Sequence, residues 1–459
     1  MKACHSIVPV FDEANLVSAA GLVPVLELAG RAGLDGLLAE HLSVPSPNAV
    51  DKSRSVIAGM LAGADSIDDL DLLRAGGMAR VVAGVRAPST LGTFLRTFTH
   101  GHVQQIDKIT GCVLAGLTRQ VSGLLAGGRA ENGMVFVDVD DTIREVHGYA
   151  KQAAGFGYSK VRGLNVQLAT VSTPTAAPVI ARARLRRGNV ISHAGAPRLI
   201  AQAVNTARAA GARGQVMVRA DSAYYLRDVL AAAVRHDAWF SVTARMNPAV
   251  VKAIASIGED AWAPITYPTA VFDAQVGAWV SDAQVAEIEF TAFTSLPKAK
   301  QVHCRLVVRR VRRLQPRASD GSVQGELFAD WRHHAFVTNS TLSTIEADQR
   351  HRGHAIIEQV IAELKDGPLA HLPSGHYAAN AAWVAFAALA FNLARAASIA
   401  AGMATARWAT LRRRIITVPA RLAATGRRLV MHLPTRWPWA PAWAALWDVA
   451  TGPPRPVTT

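Results

Sequence analysis

Residues 343–367 read STIEADQRHRGHAIIEQVIAELKDG and have the pattern of an amphipathic helix with defined ends. Ser343 followed by Glu346 is a capping box, which satisfies free amide groups at a helix start. Gly367 followed by Pro368 is typical of a helix end, because glycine accepts positive φ and proline cannot continue the helix. Apolar residues recur with helical spacing at Ile357, Val360, Ile361 and Leu364. The segment is therefore predicted to pack one face against a core.

The polar face of this helix carries an acid between basic groups. His351, His354, Glu358 and Lys365 fall on one ridge beside the apolar stripe. Gly353 lowers helix stability by about 1 kcal/mol relative to alanine, which predicts a separate short helix before it. Taken alone, the pattern also fits a surface helix with an ordinary Glu–Lys pair.

The charge of the chain predicts a polyanionic partner. The formal net charge is +15 in 459 residues, and such a balance favours nucleic acid over a membrane surface. No acid occurs between Asp366 and Asp448, a span that contains nine arginines and several tryptophans. Arginine suits bidentate phosphate contacts, so we predict DNA contacts in this span at Arg412, Arg413 and Arg414. A basic tail without a specific role is the alternative.

Cysteine usage and hydropathy point to a cytoplasmic protein. Cys4, Cys112 and Cys304 are widely separated and lack zinc-ligand spacing, which fits a reducing compartment. Acidic residues near the N-terminus interrupt any export signal. The apolar stretch 377–403 is rich in alanine and broken by polar residues, so we expect a buried helix and no membrane association.

Changes in pattern divide the chain into five segments. Residues 1–130 read as helical, with two helix-turn-helix-like pairs that are candidate DNA-binding elements. Residues 131–246 alternate strands and helices, and residues 247–330 read as a β-rich insertion. Residues 331–404 return to the α/β pattern with the glutamate helix. Residues 405–459 form the arginine-rich tail, expected to be helical.

Three carboxylates stand at positions that an α/β sheet brings together. Asp140 ends a strand, Asp221 follows a later strand, and Glu358 lies on the late helix. Strand ends meet at one sheet edge, and converging carboxylates suit Mg²⁺ or Mn²⁺. Two such ions support phosphodiester chemistry. Asp138 shares a strand face with Asp140 and is the alternative first acid.

Four motifs in order give the chain a resemblance to a known family. They are the segments 137–142 (VDVDDT), 155–158 (GFGY), 185–189 (LRRGN) and 219–222 (RADS). With the long insertion before the glutamate helix, they resemble the DDE transposases of bacterial insertion sequences. The resemblance implies a ribonuclease H-like mixed sheet flanked by helices, with an inserted β-rich subdomain. It favours Asp140 as the first acid.

The late helix keeps part of that family's signature, Y-x2-R-x3-E-x6-K. Glu358 and Lys365 fit in type and spacing, whereas His351 and His354 occupy the tyrosine and arginine positions. Histidine holds a phosphate only when protonated, whereas arginine does so at any pH. By resemblance, the three acids hold two Mg²⁺ (or Mn²⁺) ions, and DNA contacts fall at Lys365, His354, His351 and Arg219. A half zinc site formed by the two histidines is a weaker alternative, since no cysteine or HExxH pattern supports it.

The resulting prediction is a transposase that binds its terminal inverted repeats, cuts phosphodiester bonds there and joins the 3′ ends to target DNA. Its partners would be double-stranded DNA and a second copy of itself, as a homodimer on DNA at the nucleoid. The competing prediction is a non-catalytic DNA-binding protein derived from a transposase, acting as a repressor or scaffold. The two histidines in place of expected residues favour this second class.

Overall fold

The fold is mixed α/β, with one mixed sheet flanked by helices, as the sequence predicted. A computed structural model of the chain describes residues 7–148, 150–265, 272–273, 278–279, 283–312, 331–426 and 428–452. Apolar side chains from nearly every element form one large buried cluster. The N-terminal helices, the sheet and the C-terminal region therefore share a core.

The N-terminal region is helical apart from one short strand. Its elements are β1 (Leu16–Val17), α1 (Leu22–Arg31), α2 (Leu34–His41), α3 (Ala49–Ala62), α4 (Met78–Val81), α5 (Pro88–Arg96) and α6 (His100–Gln120). The break between α1 and α2 falls at Gly33, whose φ of 91° suits a residue without a side chain. Thr99 and His102 form a reciprocal cap at the start of α6. The predicted helical hairpins are therefore present, and their contact with DNA stays a prediction.

The first half of the central sheet is built from a hairpin followed by alternating helices and strands. Its elements are β2 (Met134–Glu145), β3 (Gly155–Phe156), β4 (Arg162–Ser172), β5 (Val179–Arg186), α7 (Ala196–Ala209), β6 (Gln215–Ala220), α8 (Arg227–Arg235) and β7 (Ala238–Thr243). Strands β2, β4 and β5 are antiparallel neighbours. Strands β6 and β7 run parallel to β2 on its other side. The buried runs in β2, β4 and β6 explain why helices cover both faces.

Among the described residues, three strands of the predicted insertion extend the central sheet, whereas two short strands of the insertion pair with each other in a separate sheet. The insertion follows α9 (Pro248–Ala255) with β8 (Ala263–Ile265), β9 (Phe272–Asp273), β10 (Ala278–Trp279), β11 (Ala283–Ala292) and β12 (Val302–Arg312), and β13 (Trp331–Thr338) comes after it. Strand β13 pairs antiparallel with β7, and its other edge pairs with β12. Because an unpaired sheet edge is readily extended, β12, β11 and β8 continue the same sheet in that order. Residues 313–330 of the predicted insertion lie outside the described residues.

The glutamate helix is split where the sequence predicted. Helix α10 (Thr344–Arg352) and helix α11 (Ile356–Lys365) flank a single 3₁₀ turn. The side chain of Ser343 accepts a hydrogen bond from the Glu346 amide, which confirms the cap. The position of Gly353 has a steric cause: a Cβ there would lie 2.6 Å from Nη1 of Arg219.

Helix α12 (Tyr377–Ala400) is the centre of the core, and its polar residues are satisfied inside the fold. Asn392 accepts from the Ile180 amide at 2.7 Å and donates to the Ile180 carbonyl at 2.8 Å. Asn380 is bonded in the same way to the backbone of Ser374. Among the described residues, α12 is the one helix long and apolar enough to cross a membrane, and 94% of its apolar window is buried within the fold. This is the environment expected of the buried helix that the sequence predicted.

The C-terminal region is not the helical tail that we expected. It contains α13 (Trp408–Leu411), a π-helical turn (Arg412–Ile416), β14 (Ala420–Thr425), β15 (Arg428–His432) and α14 (Ala440–Thr451). Strand β14 pairs with β1, so the two ends of the chain share a three-stranded sheet. Arg31 donates to the carbonyls of Val449 and Ala450, which satisfies the free end of α14. Alternation of apolar and polar residues in β14 favours a strand, because only one face of this small sheet is covered.

Candidate active site

Two of the predicted acids lie side by side on parallel strands. Strand β2 pairs with β6 in a register that places Val139 opposite Ala220. Asp140 is the next residue on β2, and Asp221 directly follows β6. Neighbouring strands lie about 4.8 Å apart, so the register brings the two carboxylates to the same part of the sheet edge. The prediction that Asp140 ends its strand is wrong, because β2 continues to Glu145 in its pairing with β4.

The surroundings of Asp140 disfavour its ionised carboxylate, chiefly through burial. Burial raises its pKa to about 6, and the charges of Asp221 and Asp141 act in the same direction. The Asp141 amide, at 2.7 Å from Oδ1, and the nearby ring of His354 oppose that rise. A group whose ionised form is disfavoured in this way is typical of a site that binds a cation or a proton.

Asp221 is in a similar but more open position. Desolvation by the surrounding protein raises its pKa, and Asp141 adds to the effect. Its Oδ1 accepts a hydrogen bond from the Ala223 amide at 2.9 Å, which starts a 3₁₀ turn and fixes the side chain. Residue 221 is exposed and lies next to the end of the pairing between β2 and β6.

Asp138 is fully buried in an ion pair and is not placed as a metal ligand. Nε and Nη2 of Arg219 donate to its two oxygens at 2.7 Å each, and Nδ1 of His354 lies 2.9 Å from Oδ1. Although burial opposes ionisation, the charge of Arg219 and these hydrogen bonds hold the pKa of Asp138 below its ordinary value. Since both oxygens are engaged, the geometry favours Asp140 over Asp138 as the first acid.

Arg219 is an interior residue, contrary to the DNA contact that we predicted. Only 2% of it is exposed, and its guanidinium lies 3.9 Å from the ring centre of Phe136. Besides Asp138, it donates to the Arg350 carbonyl at the end of α10 at 2.6 Å. A guanidinium that is bonded on three sides and buried has no face left for a DNA phosphate. Its place is to join β6, β2 and α10.

His351 is held by neighbouring side chains, which does not suit the DNA contact that we predicted. Its ring stacks on Phe336 with the centroids 4.0 Å apart, and its two nitrogens contact the hydroxyls of Ser241 and Thr243 at 2.8 and 3.1 Å. Burial, together with the charge of His354, lowers its pKa to about 3. The ring is therefore neutral at ordinary pH, and the predicted phosphate contact is not available to it.

His354 lies between the structural ion pair and the candidate acids. Because Asp138 is ionised and can only accept, Nδ1 of His354 carries the proton of their shared hydrogen bond. The ring lowers the pKa of both Asp140 and Asp221. The ring thus lies beside both acids and is held in place by its hydrogen bond to Asp138.

The structure places Glu358 on the exposed face of α11, one helix turn beyond His354. The four apolar residues of the stripe are all buried, so α11 is docked on the core beside β2. Among the described residues, no group of three or more His, Cys, Asp or Glu side chains is arranged to hold a metal ion. The strand register thus brings Asp140 and Asp221 together, and no group among the described residues adds Glu358 to them.

Lys365 is close enough to Asp140, the candidate first acid, for the two charges to interact. Burial and the charge of Arg144 lower its pKa, and the charge of Asp140 opposes that shift. Residue 365 ends α11, where a cation also interacts favourably with the helix dipole.

A polar network behind the acids was missed by the sequence interpretation. Asp141 accepts from Arg186 at 2.7 Å and from the Asn165 side chain, and Tyr224 donates to it at 3.4 Å. The network connects β2, β4 and β5 to the turn that carries Asp221. The available signal was the pair of polar residues Asn165 and Gln167 inside an otherwise apolar strand, since buried polar groups require partners.

Of the three C-terminal arginines predicted to bind DNA, one is exposed. Arg413 faces solvent on the π-helical turn. Arg412 lies along Gly63, and the guanidinium of Arg414 lies 5.0 Å from the ring centre of Trp439. Two of the three arginines thus pack against other parts of the fold.

A basic α/β protein with two acids on adjacent parallel strands and a glutamate on a following helix has the residue layout of DDE-type DNA-processing proteins. A scan against protein-family models matches residues 2–450 to the transposase DDE domain, group 1, so the chain belongs to this transposase family. The family assignment covers nearly the whole chain and supports roles in transposition and DNA recombination. A search of curated proteins found no match.

Proposed function

We propose that the protein is the transposase of an insertion sequence, which binds terminal inverted repeats and catalyses metal-dependent DNA cleavage and strand transfer. The observation that carries the proposal is the pair Asp140 and Asp221, adjacent on parallel strands and with raised pKa values. Membership of a transposase family supports the reaction type. The high positive charge fits double-stranded DNA as the substrate.

The strand order supports a ribonuclease H-like core. The order β5-β4-β2-β6-β7, with the first three strands antiparallel and the last two parallel to β2, follows from the pairing. In this proposal Asp140 lies within the central strand β2, just beyond its pairing with β6, and Asp221 lies at the start of the turn after β6.

The donor set fits a hard divalent cation. Carboxylate oxygens are the ligands that Mg²⁺ and Mn²⁺ prefer, and the disfavoured ionisation of Asp140 is what a bound cation would relieve. Asp140, Asp221 and Glu358 would hold two Mg²⁺ (or Mn²⁺) ions. Such ions supply activation of a water or 3′-hydroxyl and stabilisation of the leaving oxygen.

Other residues of the chain bind and orient the DNA in this proposal. Lys365 places a positive charge near Asp140, where a phosphate next to the cleaved bond would lie. His354 donates to Asp138 and keeps its ring beside both acids. The N-terminal helices and exposed arginines such as Arg413 contact the element ends. Two copies of the chain, located with the DNA in the cytoplasm, pair the two ends.

The test is cleavage of labelled terminal-repeat DNA in Mg²⁺ by Glu358→Gln. We expect loss of cleavage and joining by a factor of about 10² or more, because the variant lacks one negative ligand. Asp366→Asn, which changes an exposed carboxyl group at the end of the same helix, is the control and should cleave normally. Undiminished cleavage by Glu358→Gln, alongside an active wild-type protein, rejects the assignment.

One observation favours the second candidate, a DNA-binding protein without catalysis. Glu358 is exposed, and the described residues contain no assembled group of three metal-binding side chains. This candidate predicts end binding that does not depend on divalent metal and that survives Asp140→Asn, Asp221→Asn and Glu358→Gln together. A wild-type protein that binds terminal repeats but never cuts them in Mg²⁺ or Mn²⁺ would support it.

A further inference from the structure

Two sequence motifs that the proposed chemistry does not use meet in the fold. Segment 155–158 (GFGY) packs backbone to backbone against segment 185–189 (LRRGN). The Gly188 amide donates to the Ala153 carbonyl at 3.1 Å. A Cβ on Gly157 would lie 2.5 Å from the Gly188 carbonyl oxygen. Glycine is thus required at these positions because the two backbones approach each other closely. The two motifs together form one structured turn.

A cavity of about 590 Å³ lies beside this turn. The described residues that line it are Gln152, Ala153, Ala154, Gly155, Arg187, Asn189 and Tyr377, a set without a carboxylate. The Gln152 side chain accepts from the Tyr377 amide at 2.9 Å, and the Tyr377 hydroxyl donates to the Leu185 carbonyl at 2.6 Å. An aromatic ring, two amide groups and an exposed arginine are therefore held around one space. These groups can stack on a base, bond its edge and bind its phosphate.

Two aromatic side chains project from the same turn into solvent. Phe156 is 67% exposed and Tyr158 is fully exposed, which no packing requirement explains. Lys160 is exposed directly after them. Projecting aromatics beside cations are the usual way in which proteins hold unstacked bases.

The charge and position of this surface fit DNA that passes the acids. Between Glu145 and Asp221 the chain has no Asp or Glu but contains eleven Lys and Arg. Gly155 pairs with Gly163, which pairs with Glu145, five residues beyond Asp140 on β2. At ~3.3 Å per residue, the turn lies roughly 17 Å from Asp140, within the reach of one turn of duplex.

We infer that this turn and its cavity, which we call the aromatic turn, are a binding site for an unpaired or unstacked nucleotide of the DNA being processed. The inference rests on the proposed function, because it assigns a second contact to the same DNA. Phe156 and Tyr158 stack on bases, and Arg187 binds the adjoining phosphate. Gln152 and Asn189 face the base edge in the cavity.

The test compares two fluorescently labelled DNAs, an intact duplex and the same duplex with a short mismatched bubble, in buffer without divalent metal. The wild-type protein is expected to bind the bubble about tenfold more tightly, since base stacking on aromatics contributes at that level. Phe156→Ala with Tyr158→Ala removes the preference, and Tyr158→Phe alone keeps it. Arg187→Ala weakens bubble binding more than duplex binding.

Arg213→Ala is the matched control, because Arg213 is an exposed arginine just before β6, at the opposite end of the sheet. It should change both affinities equally and slightly. Thermal melting shows that each variant is folded. A wild-type protein without the preference, or an alanine double variant that keeps it, overturns the inference. A protein that prefers the bubble yet never cuts DNA in Mg²⁺ overturns the proposed function and leaves this inference standing.

Discussion

The two histidines at positions 351 and 354 differ in role although they are three residues apart. His351 is neutral and enclosed by Phe336 and two hydroxyls, whereas His354 is bonded to a buried carboxylate beside the candidate acids. A residue type at a given spacing therefore does not determine a role, because the partner strands decide what each ring meets. Whether a histidine can take the role of the tyrosine or arginine in the family signature therefore depends on its surroundings as well as on its side chain.

His351 should make the stability of the protein depend on pH. Its folded pKa is about 3 and its unfolded pKa is about 6.5, so the unfolded chain binds a proton that the folded protein does not. Its contribution to stability is complete above pH 6.5 and is lost as the pH falls, by about 1.4 kcal/mol per unit. Between pH 7 and 5 the unfolding free energy of His351→Gln should therefore fall less steeply than that of the wild type. Urea denaturation measures this difference. His371→Gln, at an exposed site, is the control; equal slopes in all three proteins would contradict the assignment.

Asp138 and Asp140, both on β2, should respond to the same substitution with opposite signs. Asp138→Asn leaves Arg219 buried without its charge partner, which we expect to cost about 3–5 kcal/mol of unfolding free energy. Asp140→Asn removes a carboxylate that is disfavoured when ionised, so it should stabilise the metal-free protein by roughly 1–2 kcal/mol at pH 7. Urea unfolding at pH 7 measures both. If the Asp138→Asn protein were as stable as the wild type, Asp138 would again be a candidate for the first acid.

At the scale of elements, helix α11 is held from the side opposite to its exposed glutamate. Glu363 pairs with Arg395 of α12 at 3.2 Å and accepts from the Trp408 amide at 2.7 Å. Both members of the ion pair are more than nine-tenths buried. The orientation of Glu358 thus depends on a link to α12 and α13, two elements that lie beyond the signature in sequence.

Breaking this link should destabilise the protein far more than changing the glutamate itself. Glu363→Gln leaves the Arg395 guanidinium buried without a counter-charge, at an expected cost of about 3–5 kcal/mol. Glu358→Gln on the same helix is the control and should change unfolding free energy by less than about 0.5 kcal/mol, because it is exposed. Thermal or urea unfolding separates the two. Similar losses in both variants would show that α11 is not held by this pair.

For the whole molecule, the joined chain ends replace the free tail that the charge pattern suggested. Strand β14 pairs with β1 near the N-terminus, and α14 packs against α1. The folding of this region is therefore coupled to the stability of the N-terminal helices.

Two leucines in the C-terminal region distinguish a packed region from a tail. Leu446 is fully buried, and Leu429 is 48% exposed. We expect Leu446→Ala to cost about 2–5 kcal/mol, as in any core, and Leu429→Ala less than about 0.5 kcal/mol. Chemical denaturation of the full chain measures both effects. A Leu446→Ala protein as stable as the wild type would mean that the region does not belong to the shared core.

Local features were determined by the sequence alone. The cap at Ser343, the break at Gly353 and the strand that carries Asp140 follow from short-range rules of hydrogen bonding and periodicity. The adjacency of Asp140 and Asp221 was predictable only in part, because Asp221 follows the end of β6 whereas Asp140 lies within β2, which continues to Glu145.

Only the tertiary structure determined which charged groups are paired in the interior and which are exposed. Arg219 and Asp138 neutralise each other because β2 and β6 pair in one particular register, and a shift of one residue would reverse which side chains face the core. Extension of the sheet by β11 to β13 and the pairing of β1 with β14 depend on edges that are far apart in sequence. Such contacts carry no local signal, since their free energy comes from surfaces that meet only after the chain has folded.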